Sequence, residues 1–119
     1  MKNKLIVIVG PTASGKSALA VKLAKRFGGE IISADSRQVY RGLGIGSGKI
    51  TKKAMRSVPH HLLSIVSPRK RFTVAQYRSL AIKAIASITR QRKLPILVGG
   101  SPLYIYTVVD GWVIPAVVP

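Results

Sequence analysis

The sequence predicts an α/β fold in which helices cover a parallel β-sheet. Three observations support this prediction: short apolar β-branched segments recur along the chain, segments with helical periodicity lie between them, and glycines stand at the junctions. The 119 residues are enough for one domain with a core of its own. We therefore treat residues 1–119 as a single domain.

The first unit consists of a strand, a glycine-containing turn and a helix. Residues 5–9 form an unbroken apolar run, which is typical of a strand buried on both faces of a parallel sheet. Gly10 and Pro11 end this run. A helix is predicted over residues 15–27, because apolar side chains recur on one face and Gly28 follows its last turn.

Residues 30–34 predict a second strand, which carries Asp35 at its carboxyl end. Residues 41–71 are rich in Gly, Ser, Lys and Arg and show little periodicity, so we expect mostly loop, with a short helix near residues 51–56. The densest basic group of the chain lies here and comprises Lys49, Lys52, Lys53, Arg56, Arg69, Lys70 and Arg71.

The most clearly marked helix follows this basic segment. Thr73 and Gln76 predict a capping box at its start, and apolar residues recur at helical spacing as far as Ile88. Residues 95–98 then predict a third strand, which ends at Gly99 and Gly100. The apolar, proline-interrupted residues 109–119 predict a further strand or a linker.

Strands that alternate with helices imply right-handed crossovers and a parallel sheet, and ligands bind such sheets at the carboxyl ends of the strands. The functional side is therefore expected to carry residues 10–17, Asp35 and residues 99–101. Only three strands are predicted with a clear pattern, so we expect the first strand to have an exposed edge and the chain to self-associate through it.

The balance of charge limits the chemistry. Twenty Lys and Arg face three acids, Glu30, Asp35 and Asp110, for a net charge of +17, which favours RNA, phosphorylated metabolites or acidic lipid as partners. The three acids are scattered, unlike the carboxylate pair of a glycosidase. No cysteine is present, and His60 and His61 are the only histidines, so we expect no zinc site and a structural or RNA-proximal role for the two histidines.

The apolar run near the N-terminus is too short to cross a membrane or to direct export. We therefore expect a cytoplasmic protein without a membrane partner.

Residues 10–17 match the phosphate-loop (P-loop) pattern of two glycines separated by four residues and followed by Lys and Ser. The glycines allow successive backbone amides to face an anion at the start of a helix. Lys16 would reach the terminal phosphate oxygens, and Ser17 would bind a magnesium ion. The predicted ligand is thus a phosphate or diphosphate, bound by Gly10, Pro11, Thr12, Ala13, Ser14, Gly15, Lys16 and Ser17.

Two further positions bear on the reaction. The third strand ends in Gly99 and Gly100, where nucleotide-hydrolysing P-loop enzymes carry an acid, and this disfavours routine hydrolysis. Asp35 is expected to face the same crevice as the loop. Its sequence position fits a general base or a magnesium partner, and it also fits an ordinary turn residue.

Four blocks in order, residues 10–17, 31–42, 58–63 and 95–101, resemble the N-terminal part of the bacterial tRNA dimethylallyltransferases. The resemblance covers nearly the whole chain but only part of the usual family length. It implies a P-loop NTPase-like three-layer fold whose kinase-like core spans residues 1–119, without the family's insertion domain and C-terminal part. We therefore expect a truncated version of that fold.

The resemblance also implies an activity: transfer of a dimethylallyl group from dimethylallyl diphosphate to the exocyclic amine of the adenosine 3′ of the anticodon in tRNA. Lys16 would neutralise the leaving diphosphate, Asp35 would accept the proton of the amine, and Ser101 would bond the substrate, with Mg²⁺ held at Ser17. The residues expected to contact tRNA are Asp35, Ser36, Arg37, Gln38 and Ser101.

This chain departs from the family pattern at several positions. Ser101 and Pro102 stand where the family has Thr and Gly, and Pro102 is expected to disturb the loop because it lacks an amide hydrogen. Gly44 and Ser64 stand where the family commonly has acids.

Two other functions remain open from the sequence. One is a small-molecule kinase that uses ATP at the same loop, and the other is a non-catalytic form that binds RNA or diphosphate. Tyr40 and Tyr104 fit either base-stacking residues or core residues.

Overall fold

The computed structural model describes residues 4–10, 15–36, 39–40, 52–63, 65–67, 69–110 and 116–118. Within these ranges lie five strands and four helices, which we number in chain order. They are β1 (Ile6–Val9), α1 (Lys16–Phe27), β2 (Gly29–Ser33), α2 (Lys52–Met55), β3 (His60–His61), α3 (Val74–Arg90), β4 (Leu94–Gly99), α4 (Pro102–Val109) and β5 (Ala116–Val118).

All strand pairs in the sheet are parallel, and the order across it is β3-β2-β4-β1-β5. β4 lies between β1 and β2, with Leu97 opposite Val7 on one side and opposite Ile32 on the other. The expectation that β1 would have an exposed edge is wrong, because β5 pairs with it through Ile6, Val7 and Ile8. Among the described strands, the edges of this sheet are β3 and β5, so β1 offers no exposed edge for the expected self-association.

Helices cover both faces of the sheet, as predicted. Alternate residues of each strand point to opposite faces, and two buried clusters result. On one face, α1 packs through Ala20, Val21 and Ala24 against Ile8, Ile31, Ile96 and Val98. On the other, α3 and α4 pack through Tyr77, Ala81, Ile85, Ile88, Tyr104 and Val108 against Leu5, Val7, Ile32 and Leu97.

The helix ends follow the predicted signals. The Thr73 hydroxyl accepts a hydrogen bond from the Gln76 amide at 3.1 Å, and the Gln76 side chain accepts one from the Thr73 amide at 2.8 Å, which confirms the capping box. α1 ends at Gly28, whose φ of 67° lies in the left-handed region. The short helix expected near residues 51–56 is α2, and residues 41–51 lie outside the described part of the chain.

α3 ends in a tight turn at Arg92. The Arg92 amide bonds the Thr89 carbonyl at 2.9 Å, and the Lys93 amide bonds the Ile88 carbonyl at 3.1 Å. These two bonds define a Schellman motif, in which glycine is the usual residue at the left-handed position. Arg92 occupies that position with a φ of 60°, and the chain then enters β4.

Two elements were not predicted from the sequence. β3 is only two residues long and lies in the segment predicted to be loop, where it pairs with Ile31 and Ile32 of β2. α4 begins at Pro102 in an apolar run that lacks a clear helical period. Of the dense basic group, Lys53, Arg56, Arg69, Lys70 and Arg71 are exposed.

Glu30 is a buried carboxylate that pairs with two less buried groups, His61 and Lys93. This residue on β2 is 4% exposed. One of its carboxylate oxygens contacts Nε2 of His61 at 2.7 Å, and the other accepts a hydrogen bond from Nζ of Lys93 at 2.9 Å. Burial acts to raise the pKa of Glu30, but the hydrogen bonds from His61 and Lys93 outweigh it and leave the pKa below its ordinary value. The cluster joins β2 to β3 and to the turn after α3.

None of the helices in the ranges given above is long and apolar enough to cross a membrane.

We expect Glu30→Gln to lower the free energy of unfolding at neutral pH by about 1.5–3 kcal/mol, because it removes the charge that pairs with His61 and Lys93. The lowered pKa means that Glu30 stabilises the fold at pH values above 4.5, the ordinary value, and that this contribution is lost as the pH falls through the folded-state pKa. Urea unfolding at neutral pH and well below pH 4.5 should therefore show the difference between wild type and variant shrinking in acid.

The matched control is Asp110→Asn, which makes the same chemical change at an exposed acid. Equal stabilities of the two variants at neutral pH would contradict a stabilising role for the Glu30 cluster.

Candidate functional site

The carboxyl ends of β1, β2 and β4 meet at one edge of the sheet. Just beyond these strands, the Gly10 amide bonds the Gly99 carbonyl at 3.3 Å, and the Ala34 amide bonds the Val98 carbonyl at 2.7 Å. The chain segments that leave the three strands therefore start side by side. This is the functional side predicted from the strand order.

Gly15 and Lys16 form the start of α1. Gly15 caps the helix with a φ of 83°, a conformation that glycine adopts without strain. Its carbonyl accepts the first helical hydrogen bond, from the Leu19 amide at 3.1 Å. The first turn of α1 contains no acid, so the partial positive charge of the helix N-terminus and the Lys16 ammonium act together. Residues 11–14 of the predicted loop lie outside the described residues.

A cavity at this edge brings together Lys16, Ser17 and Asp35, three of the residues that the sequence predicted for the site. Lys16 and Ser17 come from the start of α1, and Asp35 comes from the chain just after β2. Apolar side chains and polar groups share the rest of the wall, which consists of Ala20, Ile31, Ser33, His60, Leu63, Val98 and Gly99. The cavity thus combines a cation, a hydroxyl and a carboxylate with an apolar surface.

Gly99 allows β2 and β4 to approach closely beneath this cavity. A Cβ atom at position 99 would collide with the carbonyl group of Ala34. β4 therefore ends, between β2 and β1, in a residue without a side chain. Hydrolytic P-loop enzymes have an acid after an apolar strand, and this chain has Gly99 and Gly100 there.

Ser101 contacts the peptide groups on both sides of Asp35. Its amide bonds the Ala34 carbonyl at 3.3 Å, and its hydroxyl accepts a hydrogen bond from the Ser36 amide at 2.8 Å. The same hydroxyl lies 3.3 Å from the Ser36 hydroxyl. Ser101 therefore holds the backbone that carries Asp35, while a contact between Ser101 and a substrate remains a prediction.

The expectation that Pro102 disturbs this loop is wrong. Pro102 is the first residue of α4, with Ser101 at the N-cap. At that position a proline costs no helical hydrogen bond, because the first amides of a helix have no partner within the helix, and its fixed φ suits the start of a helix.

His60 and His61 point to opposite faces of the sheet, because successive residues of a strand alternate. His60 lines the cavity, and its Nδ1 lies 2.7 Å from the Val58 carbonyl, which makes Nδ1 the protonated nitrogen. Burial lowers the pKa of His60 and outweighs the opposing effect of this bond, which favours the neutral ring. The structural role expected for His61 is met by its contact with Glu30.

In the described ranges, no three His, Cys, Asp or Glu residues lie together as a metal site would need.

His60 was not among the site residues that the sequence predicted. Its β-strand alternation relative to His61 could have indicated it, had β3 been predicted.

Of the two tyrosines predicted as stacking or core residues, Tyr104 belongs to the core. Tyr104 is 5% exposed and stacks on Tyr77, with the ring centroids 4.0 Å apart and the planes at 19°. Burial raises the pKa of Tyr104, and the nearby Tyr40 and Asp35 raise it further. Tyr40 is partly buried and forms a parallel bridge with Val66. The predicted tRNA contacts Arg37 and Gln38 lie outside the described residues.

The family model described as IPP transferase matches residues 38–118. A tRNA dimethylallyltransferase of Roseiflexus sp. (strain RS-1) is 53% identical over 115 residues, which are 97% of this chain and 38% of that protein. A tRNA dimethylallyltransferase of Geobacter metallireducens is 54% identical over 112 residues, which are 94% of this chain and 36% of that protein. The chain thus spans little more than a third of the length of these curated relatives.

Solved structures show the same likeness. The full-length tRNA isopentenylpyrophosphate transferase from Bacillus halodurans superposes with a TM-score of 0.89 at 50% identity and covers 93% of this chain and 37% of that one. A eukaryotic dimethylallyltransferase acting on tRNA superposes with a TM-score of 0.86 at 37% identity and covers 89% of this chain and 26% of that one. These likenesses confirm the predicted P-loop NTPase-like α/β fold.

We expect Gly99→Ala to destabilise the protein by about 1–3 kcal/mol, because the added methyl group must push β4 away from the Ala34 carbonyl. The same displacement should weaken the binding of inorganic diphosphate, which calorimetric titration measures. Gly28→Ala is the control: it meets no atom within 4 Å and strains only the left-handed backbone at the far end of α1. Gly28→Ala should leave diphosphate binding unchanged, and equal effects of the two variants on binding would contradict this explanation.

Proposed function

This chain belongs to the IPP transferase family, and we propose on that basis that its site transfers a dimethylallyl group from dimethylallyl diphosphate to the exocyclic amine of the adenosine 3′ of the anticodon in tRNA. The observation that carries the proposal is the shared cavity, which Lys16 and Ser17 at a helix N-terminus line together with Asp35 and several apolar side chains. Each part of this cavity corresponds to one requirement of the reaction.

The first requirement is stabilisation of a leaving diphosphate. Negative charge grows on the diphosphate as its bond to the dimethylallyl carbon breaks. The Lys16 ammonium and the amides at the start of α1 would stabilise this charge from positions that the helix sets before the reaction begins, so little reorganisation would be needed in the transition state. In the proposal, residues 10–17 bind the diphosphate, and Lys16 neutralises it as it leaves.

The second requirement is a base for the attacking amine. A new bond forms between the amine nitrogen of adenosine and the dimethylallyl carbon, while the carbon–oxygen bond to diphosphate breaks. The amine loses one proton, which the Asp35 carboxylate accepts. Because no water has to be activated, the reaction needs no acid at the end of β4, in agreement with Gly99 and Gly100 there.

Magnesium fits the donor set of the cavity. Mg²⁺ prefers oxygen ligands and usually combines one or two protein oxygens with phosphate oxygens and water. The partly buried hydroxyl of Ser17 lies in the same cavity as Lys16 and is the residue that would hold the ion. When bound, the ion would supply further neutralisation of the diphosphate.

The apolar wall and the surface charge favour these substrates. Ala20, Ile31, Leu63 and Val98 offer a dry surface for a hydrocarbon group beside the phosphate site. A net charge of +17 suits binding to a polyanion such as tRNA. The adenosine would have to leave its base stack to reach Asp35, and hydrogen bonds within the site would offset the few kcal/mol that this costs. A tRNA substrate also agrees with the expected cytoplasmic location.

Dimethylallyl transfer is distinguished from the kinase and the binding-only alternatives by supplying both kinds of group donor, dimethylallyl diphosphate and ATP. The chain is incubated with labelled dimethylallyl diphosphate and unmodified tRNA, and in parallel with labelled ATP and small-molecule acceptors. Label in tRNA supports the proposal. Label transferred from ATP, with none in tRNA, identifies a kinase, and diphosphate binding without either transfer identifies the binding-only alternative.

We expect Asp35→Asn to abolish transfer of the dimethylallyl group while leaving the affinity for the diphosphate within about twofold, because the amide cannot accept the proton and does not contribute to the phosphate site. Transfer is measured by label in tRNA and affinity by calorimetry. Asp110→Asn, at an exposed residue after α4, is the control and should keep full activity. Transfer by Asp35→Asn at the wild-type rate would exclude Asp35 as the base.

We expect Lys16→Met to weaken binding of dimethylallyl diphosphate about tenfold or more, since a hydrogen bond to a charged group is worth about 1.5–3 kcal/mol. Lys22→Met, at an exposed position of the same helix, makes the same change in net charge away from the cavity. The proposal requires the first variant to lose affinity and the second to keep it. An equal loss in both would indicate a general charge effect.

A further inference from the structure

The carbonyl of Ser33, at the end of β2, points toward β3, but β3 is too short to donate a hydrogen bond to it. Residues of β2 bond alternately to β3 and to β4: the Ile31 amide bonds the Pro59 carbonyl on the β3 side, and the Ala34 amide bonds Val98 on the β4 side. Ser33 therefore faces β3, but β3 ends at His61. Leu62, with a φ of 67°, turns the chain away from β2 at this point.

Tyr77 of α3 supplies the hydrogen bond that β3 does not. Its hydroxyl donates to the Ser33 carbonyl at 2.7 Å in the interior of the protein. The Tyr77 side chain is 0% exposed, and the stacked ring of Tyr104 holds it on one side. The hydroxyl is thus a fixed donor at the end of β2, carried on the first turn of the helix that begins at the Thr73 capping box.

The chain after Ser33 is held again one peptide beyond Asp35. Ala34 bonds Val98 and Ser101 through its amide and carbonyl, and the Ser36 amide bonds the Ser101 hydroxyl. Asp35 thus lies in a short span whose start is tied to Tyr77 and whose end is tied to Ser101. Asp35 is close enough to Tyr104, the ring stacked on Tyr77, to interact with it electrostatically.

We infer that Tyr77 is a positioning residue for Asp35: its hydroxyl, by bonding the Ser33 carbonyl, sets the direction in which β2 delivers the Asp35 carboxylate into the cavity. The inference rests on the proposed function for the part that concerns catalysis. Its structural part, that Tyr77 controls the backbone at Asp35, is independent of any reaction. Misplacement of a catalytic group by about 1 Å lowers a rate up to about 100-fold, so a remote hydroxyl can have a large effect on turnover.

The first test measures the backbone and needs no activity. Tyr77→Phe removes the hydroxyl and keeps the stacked ring. We expect hydrogen exchange of the Ser36 amide to become roughly tenfold faster, because the backbone that carries it loses the stabilisation of one ordinary hydrogen bond, that between Tyr77 and the Ser33 carbonyl. We also expect the carboxyl carbon signal of Asp35 in NMR spectra to move. Tyr106→Phe is the matched control, because it removes the hydroxyl of a tyrosine on α4 that is 66% exposed, and both signals should stay unchanged.

The second test measures catalysis by the same variants. Tyr77→Phe should lower kcat for dimethylallyl transfer by roughly 10- to 100-fold and leave KM for dimethylallyl diphosphate within about twofold, since the phosphate site belongs to α1. If the wild-type chain transfers nothing, the proposed function fails, and the exchange measurement still decides the role of Tyr77.

A folded Tyr77→Phe protein with wild-type exchange at Ser36 and an unmoved Asp35 signal overturns the inference, even if the variant unfolds at a lower temperature. If Tyr77→Phe does not fold, Tyr104→Leu takes its place, because it removes the ring that holds Tyr77 and leaves the hydroxyl. The same faster exchange at Ser36 is then expected, and unchanged exchange overturns the inference.

Discussion

The close approach of β4 to β2 is the constraint on which the site depends. Gly99 lies so near the Ala34 carbonyl that no side chain fits between the two strands, and Gly29 likewise faces the Leu94 carbonyl at the other end of the pair. β4 can therefore lie tightly between β1 and β2, and the segments that follow the three strands begin at one place. Lys16, Asp35 and Ser101 are far apart in the sequence and become neighbours only through this arrangement.

The three acids of the chain occupy three different environments, and one of them supplies the carboxylate of the candidate site. Glu30 is buried and paired with His61 and Lys93, where it joins two strands and a turn. Asp110 is exposed at the end of α4. Asp35 is the acid that lines the cavity. A cavity with one carboxylate opposite a cationic helix start suits an anionic leaving group together with a single proton transfer, and it suits hydrolysis less well.

The elements that the sequence predicted correctly are those with strong local signals. β1 consists of a continuous β-branched run, α1 ends at a glycine, and α3 begins at a capping box. Each of these elements is therefore determined by residues close in the chain. β3 and α4 lack such signals. Two residues are too few to show a period, and the apolar run after Pro102 fits a strand as well as a helix. β5 was expected as a strand or a linker, and its pairing with β1, not its composition, makes it part of the sheet.

By itself, the sequence determined the order of the main elements, and it predicted the phosphate loop and the candidate base, because strand formation and phosphate binding depend on residue types at short spacing. Only the tertiary structure decided which side chains share the cavity with Lys16 and Asp35. His60 enters the cavity because β3 pairs with β2. Ser101 holds the backbone on both sides of Asp35, and Tyr77 of α3, on the face of the sheet opposite α1, bonds the end of β2. His60 pairs with Ile31, Tyr77 bonds Ser33, and Ser101 bonds Ser36 and Ala34, so these contacts join residues that are 29 to 67 positions apart in the chain. Long-range packing, which leaves no local pattern, decides them.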